Sequence, residues 1–267
     1  MPFEPKKYLL SPFNALGRSL LKRLESPVDS YEKRIINNMQ NLRKEIQIGD
    51  VLLVEGSSKI SRIIQLLTKS SWSHAAFYVG DRLKTSDQEH MLIEAEAGSG
   101  VTAVPLSKYK DYNIRICRPF GISAKDMDRV VEAVTQNLGK HYDHENLVDL
   151  ALLLLPSFLN PFKKRTIQAC LGGCSKYKVI CSGMIANAFQ SVGYPIVPSL
   201  LQESDIDDPL IYEPYGSKLI MRHYSQIIPR DFDLSPNFEI VKFNIIGLGG
   251  FEYQSIWAEE QGQEDRW

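Results

Sequence analysis

Residues 48–54 read Ile-Gly-Asp-Val-Leu-Leu-Val, which is a turn signal followed directly by an unbroken apolar run. A short apolar run after a Gly-Asp turn predicts a buried β-strand. The next apolar residues, between Lys59 and Leu67, recur at the spacing of one helical face, and Ser57 or Ser58 stands where an N-cap is expected. The main domain therefore begins at about residue 46 with a strand and a capped helix.

Outward from this point, the pattern gives strands first and helices afterwards. Four further strands are predicted before residue 120, at residues 74–79, 91–97, 101–106 and 114–118, and the middle two form a hairpin around Gly98-Ser99-Gly100. Helices are predicted at residues 123–138, 146–155 and 180–192, and one more strand at residues 238–243. This order favours an α+β fold, with an antiparallel sheet packed against helices, over a doubly wound parallel sheet.

The chain of 267 residues divides into three predicted parts. Residues 46–250 form the catalytic domain, residues 1–45 form an N-terminal helical extension, and residues 251–267 form a C-terminal tail. Apolar side chains recur at helical spacing between Phe13 and Leu24, with basic residues among them. This segment is expected either to pack on the main domain or to lie as a basic amphipathic helix on a membrane surface.

The composition narrows the classes of partner. Lysine and arginine number 31 against 32 aspartate and glutamate, so the net charge of -1 gives no general attraction to nucleic acid, and no basic patch rich in aromatic residues is apparent. The longest apolar stretch, residues 147–159, is interrupted by Asp149 and Pro156 and is too short to span a bilayer. The first residues lack the pattern of a secretory signal. We expect a cytoplasmic protein without cofactor or nucleic-acid partner; peripheral membrane contact is left open, and the oligomeric state is not indicated.

Cys181 is the candidate nucleophile among four cysteines. It stands where an apolar strand-like run gives way to a helical pattern, and a helix N-terminus supplies partial positive charge and free N–H groups that favour a thiolate and an oxyanion. Ser182 and Gly183 leave the approach to the sulfur open. The alternative is a small buried cysteine with no chemical role. Cys170 and Cys174 lack a second pair of ligands, so we predict no metal site.

His74 is the candidate base, at the start of a predicted strand. Glu94 and Glu96 lie two residues apart on the next strand and therefore share one face of it. If that face meets His74, one carboxylate could bond one ring nitrogen and fix the tautomer while the other nitrogen faces the sulfur. The residues alone do not choose between Glu94 and Glu96.

Several strings of residues resemble the YiiX/YebB-like family of the NlpC-like papain superfamily, whose members have a circularly permuted order. They are Gly49-Asp50-Val51-Leu52-Leu53, Thr68-Lys69-Ser70-Ser71-Trp72-Ser73-His74-Ala75, Leu92-Ile93-Glu94-Ala95, Gly139-Lys140-His141-Tyr142-Asp143 and Val179-Ile180-Cys181-Ser182. The permuted members run histidine, acid, cysteine, as this chain does. The resemblance covers roughly residues 46–245, and the stretch 156–178 departs from it by being longer and richer in cysteine and lysine.

The resemblance implies a thiol hydrolase with Cys181 as nucleophile, His74 as general base and Glu94 as the third, orienting member. Tyr142 matches a tyrosine of the family and is expected to line the site, together with Trp72, Ser73 and Ser182 as substrate-binding residues. The implied activity is hydrolysis of cell-wall-type peptides or small amides through a thioester. Two alternatives stay open: a lipid acyl hydrolase or acyltransferase of the lecithin:retinol acyltransferase type, with residues 151–165 as a membrane-facing insertion, and a binding module without activity.

Overall fold

The described part of the chain forms one antiparallel sheet with helices on it. The computed structural model describes residues 26–27, 31–34, 37–83, 90–96, 99–140, 181–200 and 219–243. The strands are β1 (Val51–Glu55), β2 (His74–Gly80), β3 (Met91–Glu96), β4 (Gly100–Pro105), β5 (Asn113–Pro119), β6 (Pro198–Leu200), β7 (Leu219–Met221) and β8 (Phe238–Val241). The α-helices are α1 (Met39–Glu45), α2 (Lys59–Thr68), α3 (Ala124–Thr135), α4 (Cys181–Ser191) and α5 (Pro229–Asp233). Short 3₁₀ turns lie at Leu106–Tyr109 and Tyr224–Gln226.

Six strands form the main sheet in the order β4-β3-β2-β1-β5-β8, and every neighbouring pair is antiparallel. Strands β6 and β7 pair separately. The predicted α+β fold with an antiparallel sheet packed against helices is confirmed. The hairpin predicted around Gly98-Ser99-Gly100 is present as β3 and β4, and Ser58 is the N-cap that begins α2.

Each face of the main sheet carries its own apolar core. On the first face, Leu53, Ala75 and Phe77 pack beneath α3 and α4, and Phe189 of α4 lies edge-on against Phe77 with ring centroids 6.0 Å apart. On the second face, Leu52, Ala76 and Leu92 pack with α1 through Leu42, which is fully buried. Alternate residues of one strand thus serve different cores, as the two-residue period of a strand requires.

The turn before β1 is held by a buried ion pair. Asp50 accepts two hydrogen bonds from the Arg118 guanidinium, at 2.9 and 2.8 Å, and one from the backbone N–H of Gln47. Gly49 precedes it at φ +96°, a backbone conformation that residues with a β-carbon rarely adopt, so glycine is favoured there. This corner fixes where β1 enters the sheet beside β5.

Several expectations fall on residues outside the described ones. These are the helix at 146–155, the insertion at 156–178, Cys170 and Cys174, most of the segment 1–45 and the tail 251–267. Helix α1, within the proposed N-terminal extension, packs on the second face through Leu42, and the three-part division of the chain stays a prediction. Within the described part of the chain, none of the helices has the length and apolarity that crossing a bilayer would demand.

Candidate active site

Cys181 is the first residue of α4, as the sequence pattern predicted. Its side chain is buried among the residues of the first core, at the end of the sheet where β2 begins. The imidazole of His74 and the backbone N–H groups of Ala75 and Ser182 all act on the sulfur and lower its pKa. The start of a helix and the start of a strand therefore meet at one thiol.

His74 bonds to Glu94 rather than to Glu96. The Nε2 atom of His74 lies 3.0 Å from Oε2 of Glu94, which is fully buried. Ala76 is the partner of Glu94 in the β2–β3 register, so His74, two residues earlier, lies on the same face as Glu94 and diagonal to it. Because Nε2 is used by the carboxylate, Nδ1 is the ring atom left to face the sulfur.

Two further residues, Lys108 and Tyr109, hold Glu94 in place. The Tyr109 hydroxyl donates to Oε2 of Glu94, and the Lys108 ammonium donates to Oε1. The same ammonium donates to Oε1 of Glu96 at 2.7 Å. A buried carboxylate is stable only when hydrogen bonds or opposite charges replace its water. The 3₁₀ turn Leu106–Tyr109 supplies both here.

The charges of this cluster favour a thiolate paired with an imidazolium. Burial alone raises the pKa of Cys181, but the positive charge and hydrogen bond of His74, with the two backbone N–H groups, outweigh it and lower that pKa. Burial alone lowers the pKa of His74, but Cys181 and Glu94 together raise it well above its usual range. Burial alone raises the pKa of Glu94. The bonds from His74, Lys108 and Tyr109 outweigh this effect and lower the pKa of Glu94 to about 2.

Ser73 and Ser182 use their hydroxyls inside the protein. Ser73 is buried and accepts the backbone N–H of Gly56 at 2.9 Å, while Ser182 is fully buried and donates to the carbonyl of Ile227 at 2.7 Å. These contacts position the strand and the helix that carry the candidate base and nucleophile. They favour a structural role for both serines, and substrate contact by either stays a prediction.

Trp72 is half-buried, and its indole Nε1 donates to Oδ2 of Asp233 at 2.9 Å. It packs at the rim of the first core, two positions before His74. Tyr142, the remaining residue predicted to bind substrate, lies outside the described residues.

His74, Glu94 and Glu96 place possible metal-ligating atoms within 4.8 Å of one another. The ammonium of Lys108 already bonds both carboxylates and supplies the positive charge that a metal would bring. A metal could occupy this cluster only after Lys108 had left it, and we assign no metal to it. Cys170 and Cys174, the two cysteines considered as metal ligands, lie outside the described residues.

Sequence reasoning did not find Lys108 and Tyr109. The β3–β4 register pairs Met91 with Pro105, so continuing the hairpin would carry residues after 105 away from Glu94. They reach it because the chain leaves β4 in a 3₁₀ turn. A turn of four residues has no periodicity that could have indicated this.

The chain is similar to known proteins over part of its length. Residues 45–149 match the model of the Peptidase_C92 family, described as permuted papain-like amidase enzyme, YaeF/YiiX, C92 family. Among solved structures, the chain is similar to the metalloprotein yiiX from Escherichia coli O157:H7, with 19% identity and a TM-score of 0.46 over 74% of this chain and 98% of that one. None of the curated proteins matches the chain.

The class that the fold and the site define is a permuted papain-like protein, because histidine and acid on neighbouring strands precede the cysteine in the chain. Over residues 45–149 the chain is similar to the YiiX-like permuted papain-like family, and the matched segment includes His74 and Glu94, while Cys181 lies beyond it. The description of that family is of permuted papain-like amidases, so the match suggests a hydrolase of the amidase or peptidase class.

Proposed function

We propose that the protein hydrolyses an amide bond by acyl transfer through a thioester on Cys181. The observation that carries this proposal is the His74–Glu94 hydrogen bond of 3.0 Å beside Cys181, with the pKa of the thiol lowered and that of the imidazole raised. A thiolate is the reactive form of a cysteine nucleophile, and an imidazolium beside it is the acid that a leaving amine needs.

In the first step the Cys181 thiolate attacks the carbonyl carbon of the substrate, and a carbon–sulfur bond forms. The oxygen takes up negative charge, which backbone N–H groups at the start of α4 stabilise. The carbon–nitrogen bond then breaks, and His74 gives its proton to the leaving amine. In the second step a water molecule attacks the thioester, His74 takes the proton of that water, and the acid leaves as the thiolate is restored.

Glu94 acts through His74 in this scheme. Its carboxylate accepts the Nε2 hydrogen at 3.0 Å, which keeps Nδ1 directed at the sulfur and stabilises the imidazolium. Although Glu94 is fully buried, the bonds from His74, Lys108 and Tyr109 lower its pKa, so it stays ionised across the physiological range. The proposed substrates are cell-wall-type peptides or small amidated compounds, and a cytoplasmic enzyme would act on recycled fragments.

Mapping of thiol labelling tests the assignment of the nucleophile. The wild-type protein is treated briefly with iodoacetamide at about pH 6, where an ordinary thiol is protonated, and the labelled peptides are identified by mass spectrometry. We expect Cys181 to react at least about tenfold faster than Cys117, whose pKa burial raises. Equal labelling of the two cysteines would contradict the assignment.

Activity against a panel of amides and thioesters supplies the second measurement. Cys181→Ala is expected to lower kcat/KM by about 10⁴-fold or more, with Cys117→Ala as the matched control that leaves it unchanged. Circular dichroism of each variant establishes that the fold is intact. Turnover by Cys181→Ala at the wild-type rate would rule out the proposed chemistry.

The lipid alternative depends on residues 151–165, which lie outside the described residues, so no observation favours it. A binding module without activity needs neither a paired thiol nor a buried carboxylate fixed by three donors. The amide hydrolase is therefore the function that the geometry supports best.

A further inference from the structure

A cleft of about 750 Å³ lies beside the segment that leads into His74. It is bounded by that segment, by the beginning of β5, by α5 and by the end of β8. Five basic side chains line it: Arg34, Lys69, Arg115, Arg230 and Lys242. Asp233 is the one acidic residue among the described residues that line it. The excess of positive charge is local, because the chain as a whole carries a net charge of -1.

Three of these cations have no carboxylate partner among the residues that the structure describes. Arg115 is paired with Asp233 at 2.6 Å, and Arg34 is paired with Glu55. No such ion pair is found for Lys69, Arg230 or Lys242 in the described ranges. Moreover, Nε of Arg230 is buried and has no hydrogen-bond partner in the described part of the chain. Buried donors are nearly always satisfied in proteins, so this unpaired N–H, on a residue that lines the cleft, indicates a missing acceptor.

The wall of the cleft is fixed before any ligand arrives. Asp233 accepts from Trp72 Nε1 at 2.9 Å and from Arg115 at 2.6 Å, and the Arg115 guanidinium lies 5.1 Å from the centroid of the indole ring. A guanidinium stacked on an indole and tied by a carboxylate forms a rigid surface that is both flat and cationic. Leu234 and Ile240, exposed to 65% and 42%, give the cleft an apolar side.

We propose that this cleft binds a phosphate group carried by the substrate of the hydrolase, with Arg230, Lys69 and Lys242 as its cationic donors and Trp72 beside it. A group with two negative charges suits three cations that have no carboxylate partner in the described ranges better than a single carboxylate does. Trp72 lies two residues before His74, so their Cα atoms are at most about 7 Å apart, and the cleft adjoins the segment that leads into the candidate base. The identity of the ligand as a substrate rests on the proposed function, whereas the binding of phosphate does not.

Binding of inorganic pyrophosphate to the full chain tests the site. Isothermal titration calorimetry on the Cys181→Ala variant measures binding in the absence of catalysis. We expect one saturable site. Arg230→Gln and Lys242→Gln are each expected to weaken the binding by about tenfold, as removal of one charge-assisted donor does. Lys125→Gln removes an exposed charge of α3 far from the lining residues and serves as the matched control. Added salt should weaken the wild-type binding.

The outcomes separate this inference from the proposed function. The phosphate site would be overturned if the protein bound neither pyrophosphate nor lipid phosphate. It would also be overturned if Lys125→Gln weakened pyrophosphate binding as much as the two cleft variants do, even if Cys181 proved to be the nucleophile. Weaker pyrophosphate binding in Arg230→Gln and Lys242→Gln, but not in Lys125→Gln, would support the site even if Cys181 proved inert. Because Lys242 is exposed at the sheet edge, its variant keeps the test valid if Arg230→Gln fails to fold.

A phosphate group could come from a soluble compound or from a lipid headgroup. Co-sedimentation with vesicles of phosphatidic acid in phosphatidylcholine, against vesicles of phosphatidylcholine alone, distinguishes the two sources. Retention on the phosphatidic acid vesicles that is lost in Arg230→Gln assigns the site to a lipid headgroup. Pyrophosphate binding without retention on those vesicles assigns it to a soluble phosphorylated compound.

Discussion

Glu94 shows how much of the site depends on one buried carboxylate. Its two oxygens receive three donors, from His74, Lys108 and Tyr109, and none of its surface reaches solvent. The negative charge stabilises the imidazolium form of His74, and the imidazolium in turn stabilises the thiolate of Cys181. The reactivity of the sulfur is thus expected to depend on a residue that does not touch it.

Neutralising Glu94 should move thiol reactivity to higher pH. In Glu94→Gln the imidazolium loses its anionic partner, so the pKa of His74 falls and that of Cys181 rises. The rate of iodoacetamide labelling at Cys181, measured as a function of pH, should then reach half of its plateau at a higher pH than in the wild type. The expected shift is about one pH unit or more.

Glu96→Gln is the matched control for this change. Glu96 shares Lys108 with Glu94 but, at 42% side-chain exposure, makes no bond to His74. Its pH profile of labelling should coincide with that of the wild type. A shift of equal size in both variants would mean that general negative charge, rather than the bond to His74, controls the thiol.

At the scale of elements, the corner that joins β1 to β5 rests on Asp50 and Arg118. Asp50 is buried and its pKa is raised by burial, although the bonds from Arg118 and from the Gln47 backbone act in the opposite direction. Removing one member of a buried pair leaves the other charge without compensation. The position of β1 also sets that of β2, because the two strands pair from Val51 to Val54.

Arg118→Ala should therefore destabilise the protein by about 3 kcal/mol or more in free energy of unfolding. Arg129→Ala is the control, because its pair with Asp126 is exposed and contributes at most about 0.5 kcal/mol. Urea unfolding followed by circular dichroism measures both variants. Equally small decreases in the free energy of unfolding of both variants would show that the buried ion pair stabilises the protein no more than a surface ion pair does.

The elements differ in how well the sequence predicts them. Strands such as β2 and helices such as α3 were predicted within a few residues of their ends, because periodicity and an N-cap at Ser123 are local features. Strands β6 and β7, of three residues each, and the short helix α5 were not predicted, since such segments complete no period.

The choice of Glu94 over Glu96 needed the β2–β3 register, which depends on tertiary pairing. The local pattern could place both glutamates on one face of a strand, but it could not show which of the two bonds to His74. The phosphate cleft escaped prediction for a similar reason, because Trp72, Arg115 and Asp233 come from three distant segments.

For the molecule as a whole, the site exists only where separate elements meet. His74 lies at the start of β2, while Cys181 lies at the start of α4, whose buried face packs on the sheet through Phe189 and Ile185. Helix α4 is held in turn by Ser182, which bonds the carbonyl of Ile227. In an unfolded chain, neither His74 nor Cys181 has these neighbours, and an isolated thiol has an ordinary pKa.

Thiol activation should therefore disappear together with the tertiary structure. At about pH 6, the labelling rate of Cys181 should fall with urea at the same midpoint as the circular dichroism signal, and the unfolded chain should react more slowly than the native one. Mass spectrometry of the Cys181 peptide separates its labelling from that of the other cysteines. A labelling rate that rises on unfolding would mean that burial, rather than activation, governs this thiol.

The edge strand β8 completes the sheet from a position late in the chain, by pairing with β5. During synthesis on the ribosome, residues 74, 94 and 181 all emerge before this strand and before Ile227, the residue that anchors the helix of the thiol. We therefore expect the sulfur of the nascent polypeptide to be activated only after its later portion has left the exit tunnel.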